Sequence, residues 1–311
     1  MLSRKILISG ISGFVGANLA RKLLNRQQTI YALIRPDSTN AWRLDGILKD
    51  LNIVRIDIQD KEKLTVAVKK IRPDTIFHLA AYGSYPNETS FEKIIGVNLL
   101  GTINLVSVCA RVGFDIFVNT GSSSEYGIKA KPMNENDSLE PMTTYGWSKA
   151  AASLFCQQFS YEHELKIATI RPFSVFGPYE EKGRLIPTLM KAAVTGKTAD
   201  LASPKSVRDY IYIGDLIDAY LACANKKING IFNIGSGKEF TTLEIFKKIK
   251  KISGGKLTAN WNKLKPRNYE IKHWVADIKK AEKVIGWKPN NIDIGLVKTY
   301  EWFKENLKYY K

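Results

Sequence analysis

The chain has 311 residues, a formal net charge of +17, 44% hydrophobic and 25% charged residues, which is the composition of a soluble globular protein with an ample core. Its three cysteines, Cys109, Cys156 and Cys223, are far apart, so neither a disulfide scaffold nor a Cys-based metal or redox motif is expected, and no metal site is read. No apolar run reads as long enough for a membrane helix.

The charge permits a nucleic-acid or membrane partner or an anionic small substrate. The lysines are scattered, and the densest run, Lys247 to Lys251, reads as the wet side of a helix whose other side carries Leu243, Phe246 and Ile249. The expectation is a Lys-rich solvated surface that favours phosphate-bearing ligands, with no nucleic-acid and no membrane partner. The start, Met1 to Gly10, has too short an apolar stretch for a signal-peptide core, and a cytoplasmic protein is expected.

Lys5–Ser9 reads as a buried strand. It runs into Gly10-Ile-Ser-Gly13-Phe14-Val15-Gly16 and then a helix-forming run from Ala17. A glycine turn between strand and helix lets backbone N–H groups approach a diphosphate at a helix N-terminus, so this segment predicts dinucleotide binding. The spacing is G-x-x-G-x-x-G rather than G-x-G-x-x-G. The second strand, Thr29–Ile34, ends in Ile34-Arg35, with no acid at Ile34. An acid there would bind the ribose of NAD, whereas an arginine suits the extra phosphate of NADP. Arg35 therefore favours NADP over NAD, with a plain surface arginine as the alternative.

The third strand, from Leu51, leaves through Asp57-Ile58. Asp57 either meets an adenine edge or caps the next helix, Lys61 to Ile71. Asp74 to His78 is another strand, ending in Leu79-Ala80-Ala81, small enough for a cofactor to pass. His78 reads as a structural strand-end residue. Ile94 to Gly113 is helical, and Asn98 within it is expected to bond a neighbouring backbone group or water. The strand from Asp115 ends in Gly121-Ser122-Ser123-Ser124-Glu125-Tyr126-Gly127, placing hydroxyls where open α/β sheets bind ligands. Tyr145 and Lys149 then fall at i and i+4 of a helix, on one face. An ammonium beside a phenol favours the phenolate, so the pair is suited to proton transfer near neutral pH.

Beyond Lys149 the chain carries Arg171-Pro172, Gly177-Pro178, Arg208-Asp209, Asp215, Phe232-Asn233, Gly235, Gly237 and Gly286-Trp287-Lys-Pro289. Ile186 onward reads as a helix, Ser206 to Ile213 as a strand, and Thr241-Thr-Leu-Glu244 as a capping-box helix start. With these pieces in order, the sequence resembles the extended short-chain dehydrogenase/reductase family, in its nucleotide-sugar epimerase/dehydratase/reductase branch.

The resemblance implies an α/β fold: a Rossmann-type doubly wound parallel sheet from residues 1–175 and 207–235, with a smaller discontinuous nucleotide-sugar domain from 176–206 and 236–311. It implies NAD or NADP held by Gly10, Gly13, Phe14, Val15, Gly16, Arg35, Asp57, Ile58, Leu79, Ala80, Ala81 and Asn98, with Tyr145 and Lys149 at the nicotinamide end. Tyr145, Lys149 and Ser122, or Ser123 in its place, would carry hydride chemistry at a sugar carbon, usually C4. Ser122, Ser123, Glu125, Arg208 and Arg267 would meet the nucleotide sugar, and a homodimer is a family expectation. The implied activity is a 4-keto-sugar reductase or 4-epimerase. Dehydratases of this branch place acids just after the catalytic hydroxyl, whereas here Ser123 and Ser124 hold those places and Glu125 comes one step late. A 4,6-dehydratase and a non-catalytic NADP-sensing relative are the alternatives.

Overall fold

The computed structural model describes residues 5–38, 42–85, 87–264 and 273–310. The strands are β1 (Lys5–Ser9), β2 (Thr29–Ile34), β3 (Asn52–Arg55), β4 (Thr75–His78), β5 (Ile116–Thr120), β6 (Ile167–Pro172), β7 (Ser174–Phe176), β8 (Ala199–Asp200), β9 (Val207–Arg208), β10 (Tyr210–Tyr212), β11 (Gly230–Ile234), β12 (Phe240–Thr241) and β13 (Ala259–Asn260). The α-helices are α1 (Phe14–Leu24), α2 (Lys61–Ile71), α3 (Phe91–Ile95), α4 (Gly101–Val112), α5 (Thr144–Glu162), α6 (Leu185–Thr195), α7 (Ile213–Lys226), α8 (Thr242–Ile252) and α9 (Ile292–Asn306).

Seven strands form one parallel sheet in the order β11-β6-β5-β4-β1-β2-β3. The order reverses between β1 and β4, which opens a crevice at the carboxyl ends of the strands. Both faces of the sheet are covered, so most of its strand residues are buried and apolar. Successive side chains of a strand point to opposite faces. Ile6 and Ile8 accordingly join the core beneath α1 and α7, while Leu7 joins the core beneath α2, α4 and α5.

Helices α3 and α4 are joined without a break by a π-turn, Gly96–Leu100. The combined helix, Phe91–Val112, has a mean hydropathy of 1.6 over its most apolar window. That is long and apolar enough to cross a membrane, which corrects the expectation that no segment of the chain is. The physical reason for its composition is that Val97, Leu105, Val106, Val108 and Cys109 are packed into the protein core. All three cysteines are buried and free.

The remaining strands pair in twos: β10 with β7, β12 with β9, and β13 with β8. Helices α6, α8 and α9 surround a second core that contains Phe176, Leu189, Met190, Ile249, Leu296 and Phe303. Ala281, Ile285 and Trp287 lie in the core of the large sheet instead, although the sequence reading assigned 236–311 to the smaller domain. The segment expected as one strand from Ser206 is interrupted at Asp209, whose buried carboxylate accepts the backbone N–H groups of Ser236, Gly237 and Ala276 at 2.6, 3.0 and 3.1 Å. This single side chain holds the 235–237 turn and the 274–276 segment together. Helix α8 starts as expected, with Thr241 and Glu244 forming a reciprocal capping box.

Candidate active site

The glycine turn leaves β1 at Gly10 and enters α1 at Phe14. Gly10 has φ +70°, and a Cβ there would lie 2.5 Å from the Ala80 nitrogen; one on Gly16 would lie 2.4 Å from the Gly10 carbonyl oxygen. Both positions thus require glycine, the first for its backbone conformation and both for close backbone approach. No side chain caps α1 and no acid lies in its first turn. Its leading N–H groups and dipole are therefore available to an anion. Gly10→Ala is expected to weaken NAD(P)H binding at least about tenfold and to lower thermal stability by about 1 kcal/mol or more. Fluorescence titration and thermal denaturation check this.

Arg35 is exposed just beyond β2, with its Nε 3.6 Å from Asp37. Asp57 accepts the Gln59 N–H at 2.9 Å. It does not cap α2: Asp60 does, accepting the Lys63 N–H at 3.0 Å. Ile58 is buried, and Leu79, Ala80 and Ala81 leave β4 beside the glycine turn. His78 is fully buried between the Ser9 and Thr102 hydroxyls at 2.6 and 2.8 Å. Burial, helped by the Lys149 charge, pushes its pKa down to about 3. Asn98, in the π-turn, accepts the Tyr82 N–H at 2.8 Å and donates to the Tyr82 carbonyl at 2.8 Å and the Ser148 hydroxyl at 2.9 Å. It ties the segment after β4 to the start of α5.

Thr143 caps α5, accepting the Gly146 N–H at 3.0 Å. Tyr145 therefore falls in the first turn, with Lys149 one turn further on. The half-buried Tyr145 phenol is in hydrogen-bonding reach of the Ser122 hydroxyl. Burial pushes its pKa up to about 12; Ser122 and then Arg184 act to lower it. Lys149 is 1% exposed. Burial brings its ammonium down to about 8, while Glu125 and the Cys156 thiol act to raise it. Ser122, Tyr145 and Lys149 are thus gathered at the carboxyl end of β5, on the same side of the sheet as the glycine turn.

Glu125 does something other than contact substrate. Its fully buried carboxylate accepts the Ser122 N–H at 2.7 Å, the Ser153 hydroxyl at 2.9 Å and Arg171 Nε at 2.7 Å. Burial is the largest influence on this carboxyl and raises its pKa, with Arg171 opposing. The expected substrate contact is corrected: a carboxyl placed under the Ser122 turn, with both oxygens bonded to the protein, supports the site from below. Arg171 also donates to the Tyr126 hydroxyl at 2.8 Å, and Tyr126 donates to Asn233 at 2.8 Å. The network thereby crosses from β5 through β6 to β11.

On the substrate side, the buried Ser123 hydroxyl accepts the Trp274 indole N–H at 3.2 Å. The Arg208 guanidinium lies 5.6 Å from the Trp274 ring centre. Arg267 lies outside the described residues. Sequence reasoning passed over Tyr85, Glu180 and Arg184. Arg184 donates to the Ser84 carbonyl at 3.0 Å and lies 4.9 Å from the Tyr85 ring centre. These are single loop residues without motif spacing, so nothing local marked them.

Residues 6–235 match the model of the NAD dependent epimerase/dehydratase family. The chain belongs to this family. It is 27% identical over 316 residues to a UDP-glucose 4-epimerase of Mycolicibacterium smegmatis, covering 96% of this chain and 98% of that one. Two solved structures are similar along nearly the whole chain. One is a UDP-glucuronic acid 4-epimerase from Bacillus cereus in complex with UDP-glucuronic acid and NAD, at 27% identity and TM-score 0.83, covering 97% and 99% of the two chains. The other is a UDP-N-acetylglucosamine 4-epimerase from Methanobrevibacter ruminantium in complex with UDP-N-acetylmuramic acid, at 25% identity and TM-score 0.88, covering 98% and 99%. The protein is an NAD(P)-dependent enzyme of the extended short-chain dehydrogenase/reductase type, and its doubly wound sheet is that family's fold.

Proposed function

We propose that this family member transfers a hydride at C4 of a nucleoside-diphosphate sugar, as a 4-epimerase or a 4-keto-sugar reductase. The observation that carries the reading is the Ser122 hydroxyl within reach of the Tyr145 phenol, with Lys149 one helical turn away. Bound NAD(P) supplies the hydride chemistry. The uncapped N-terminus of α1 and the Gly10–Gly16 turn would hold its diphosphate, and Asp57, Ile58 and Leu79 to Ala81 would border it. Tyr145 takes the proton from the sugar 4-hydroxyl in oxidation and returns it to the 4-oxygen in reduction. Ser122 orients that oxygen. Lys149 stabilises the phenolate by its charge.

Epimerisation is the first reading because relatives matching almost end to end carry that name. Reduction is favoured by the absence of an NAD-type acid at Ile34, with Arg35 next to it. A 4,6-dehydratase is disfavoured, since the buried Glu125 has no oxygen to spend on a C5 proton. The deciding experiment incubates UDP-, dTDP-, GDP- and CDP-sugars, including 4-keto-6-deoxy forms, with NADH or NADPH. It follows nicotinamide absorbance and sugar product together. A 4-epimer without net absorbance change supports the first reading, and consumption of NADPH by a 4-keto sugar supports the second. Absence of both products overturns the proposal.

NADP is the proposed preference. Arg35→Asp is expected to move the ratio of kcat/KM for NADPH over NADH toward NADH by at least about tenfold. A homodimer is also proposed, formed through α5 and the Phe91–Val112 helix. Their exposed Phe91, Leu100, Trp147, Leu154 and Tyr161 support it.

A further inference from the structure

Thr120 is the last residue of β5, two positions before Ser122. β5 is a central strand, flanked by β4 and β6, in a sheet covered on both faces. Its first four residues are buried, and Thr120 alone is half-buried. The exposure of Thr120 therefore opens at the carboxyl end of the strand, into the crevice that the glycine turn also borders. On its inner side the Thr120 hydroxyl lies 2.7 Å from the Tyr220 hydroxyl, which α7 brings from 100 residues away.

Tyr220 is 0% exposed and packs edge-on to Phe77. Burial raises its pKa above the ordinary phenol value, so the phenol keeps its proton. A buried O–H left without an acceptor is costly. Among the described residues, Thr120 Oγ1 is the one hydrogen-bond partner of this phenol. The polarity of the pair follows: Tyr220 donates and Thr120 accepts. Tyr126 and Tyr310, likewise buried, also donate, to the Asn233 side-chain oxygen and the Glu180 carbonyl. The Thr120 proton is then directed away from Tyr220, and no acceptor among the described residues takes it. A hydroxyl filled on its acceptor side from the core thus presents its O–H to the crevice.

We propose that Thr120 is a cofactor-binding residue that donates a hydrogen bond to the carboxamide oxygen of the nicotinamide, and that Tyr220 is the positioning residue that fixes the direction of this donor. The inference rests on the NAD(P) dependence of the enzyme and is independent of which sugar it takes. A directed donor at the carboxamide sets the rotation of the ring, and hence the face that meets the substrate.

The test is equilibrium binding of NADH and of ADP-ribose, which lacks the nicotinamide, to wild type, Thr120→Val, Thr120→Ser and Tyr220→Phe. NADPH and 2′-phospho-ADP-ribose form a second pair. Thr120→Val keeps the shape and removes the O–H; it should weaken NADH at least about fivefold and leave ADP-ribose within about twofold of wild type. Thr120→Ser restores the donor and should bind both as wild type does. Tyr220→Phe keeps the Thr120 hydroxyl but releases its direction, and should weaken NADH by a smaller factor with ADP-ribose again unchanged. Thr120→Val also strands the Tyr220 O–H, so its melting temperature should fall. The double variant with Tyr220→Phe removes both groups, and should regain that stability while keeping the NADH deficit. If Thr120→Val alone does not fold, the double variant carries the comparison. NADH affinity within twofold of wild type in the folded Thr120→Val variant, single or double, overturns the proposal. So does a loss shared equally by ADP-ribose, which places the effect on the rest of the cofactor or on the fold. A Tyr220→Phe protein that binds NADH as wild type does overturns the role given to Tyr220.

Discussion

Tyr145→Phe is expected to lower kcat by at least about a hundredfold while leaving thermal stability and NADPH affinity close to wild type. The change removes one oxygen, the group in reach of Ser122, and leaves the ring that packs at the start of α5. Single-turnover measurement of sugar product checks it, and wild-type-like turnover would take Tyr145 out of the reaction. The same chemistry has a pH signature. Lys149 titrates at about 8 because it is buried. In the proposed mechanism an ammonium below that pH would help Tyr145 shed its proton, and above it that help would be lost. Turnover in the oxidative direction should therefore lose the ammonium's contribution as pH rises through about 8, and Lys149→Arg, which stays charged, should not show that loss.

Arg171→Met is the substitution expected to cost most stability, about 3–5 kcal/mol by urea denaturation. Arg171 and Glu125 are 1% and 0% exposed and meet at 2.7 Å. Removing the cation leaves a carboxyl group buried with only neutral donors. It also frees the Tyr126 hydroxyl that Arg171 reaches. The double variant Arg171→Met with Glu125→Gln should be more stable than Arg171→Met alone, because the uncompensated charge has gone. If the single variant unfolds at the wild-type urea concentration, the buried pair is not holding β5 to β6.

Much of the large domain was legible locally. Helix α2 runs from Lys61 to Ile71 as the sequence predicts, and β1 and β2 match their apolar runs. The glycine turn, the α8 capping box and the one-turn spacing of Tyr145 and Lys149 were equally plain. Periodicity, capping and glycine conformation depend on neighbours a few residues away, so they leave a pattern in a short window. The identity of the α2 cap was an exception: Asp57 and Asp60 are both acids before the helix, and only Asp60 aligns with a free N–H.

Other roles were decided by tertiary structure. Glu125 reads from sequence as a substrate contact beside the serines, but Arg171, 46 residues away, draws its carboxylate into the core. Trp274 sits in no sequence motif, yet its indole N–H reaches Ser123 across 151 residues. Asp209 breaks an expected strand because its carboxylate satisfies backbone amides of two distant segments, and the apolar Phe91–Val112 helix is a core element because sheet and helices bury it. The sequence by itself determined which elements form and which side chains are chemically able to act. Only the fold decided which of those side chains are spent on the protein and which remain for a ligand, because a polar group's role depends on partners brought to it by burial, and burial is set by contacts far apart in the chain.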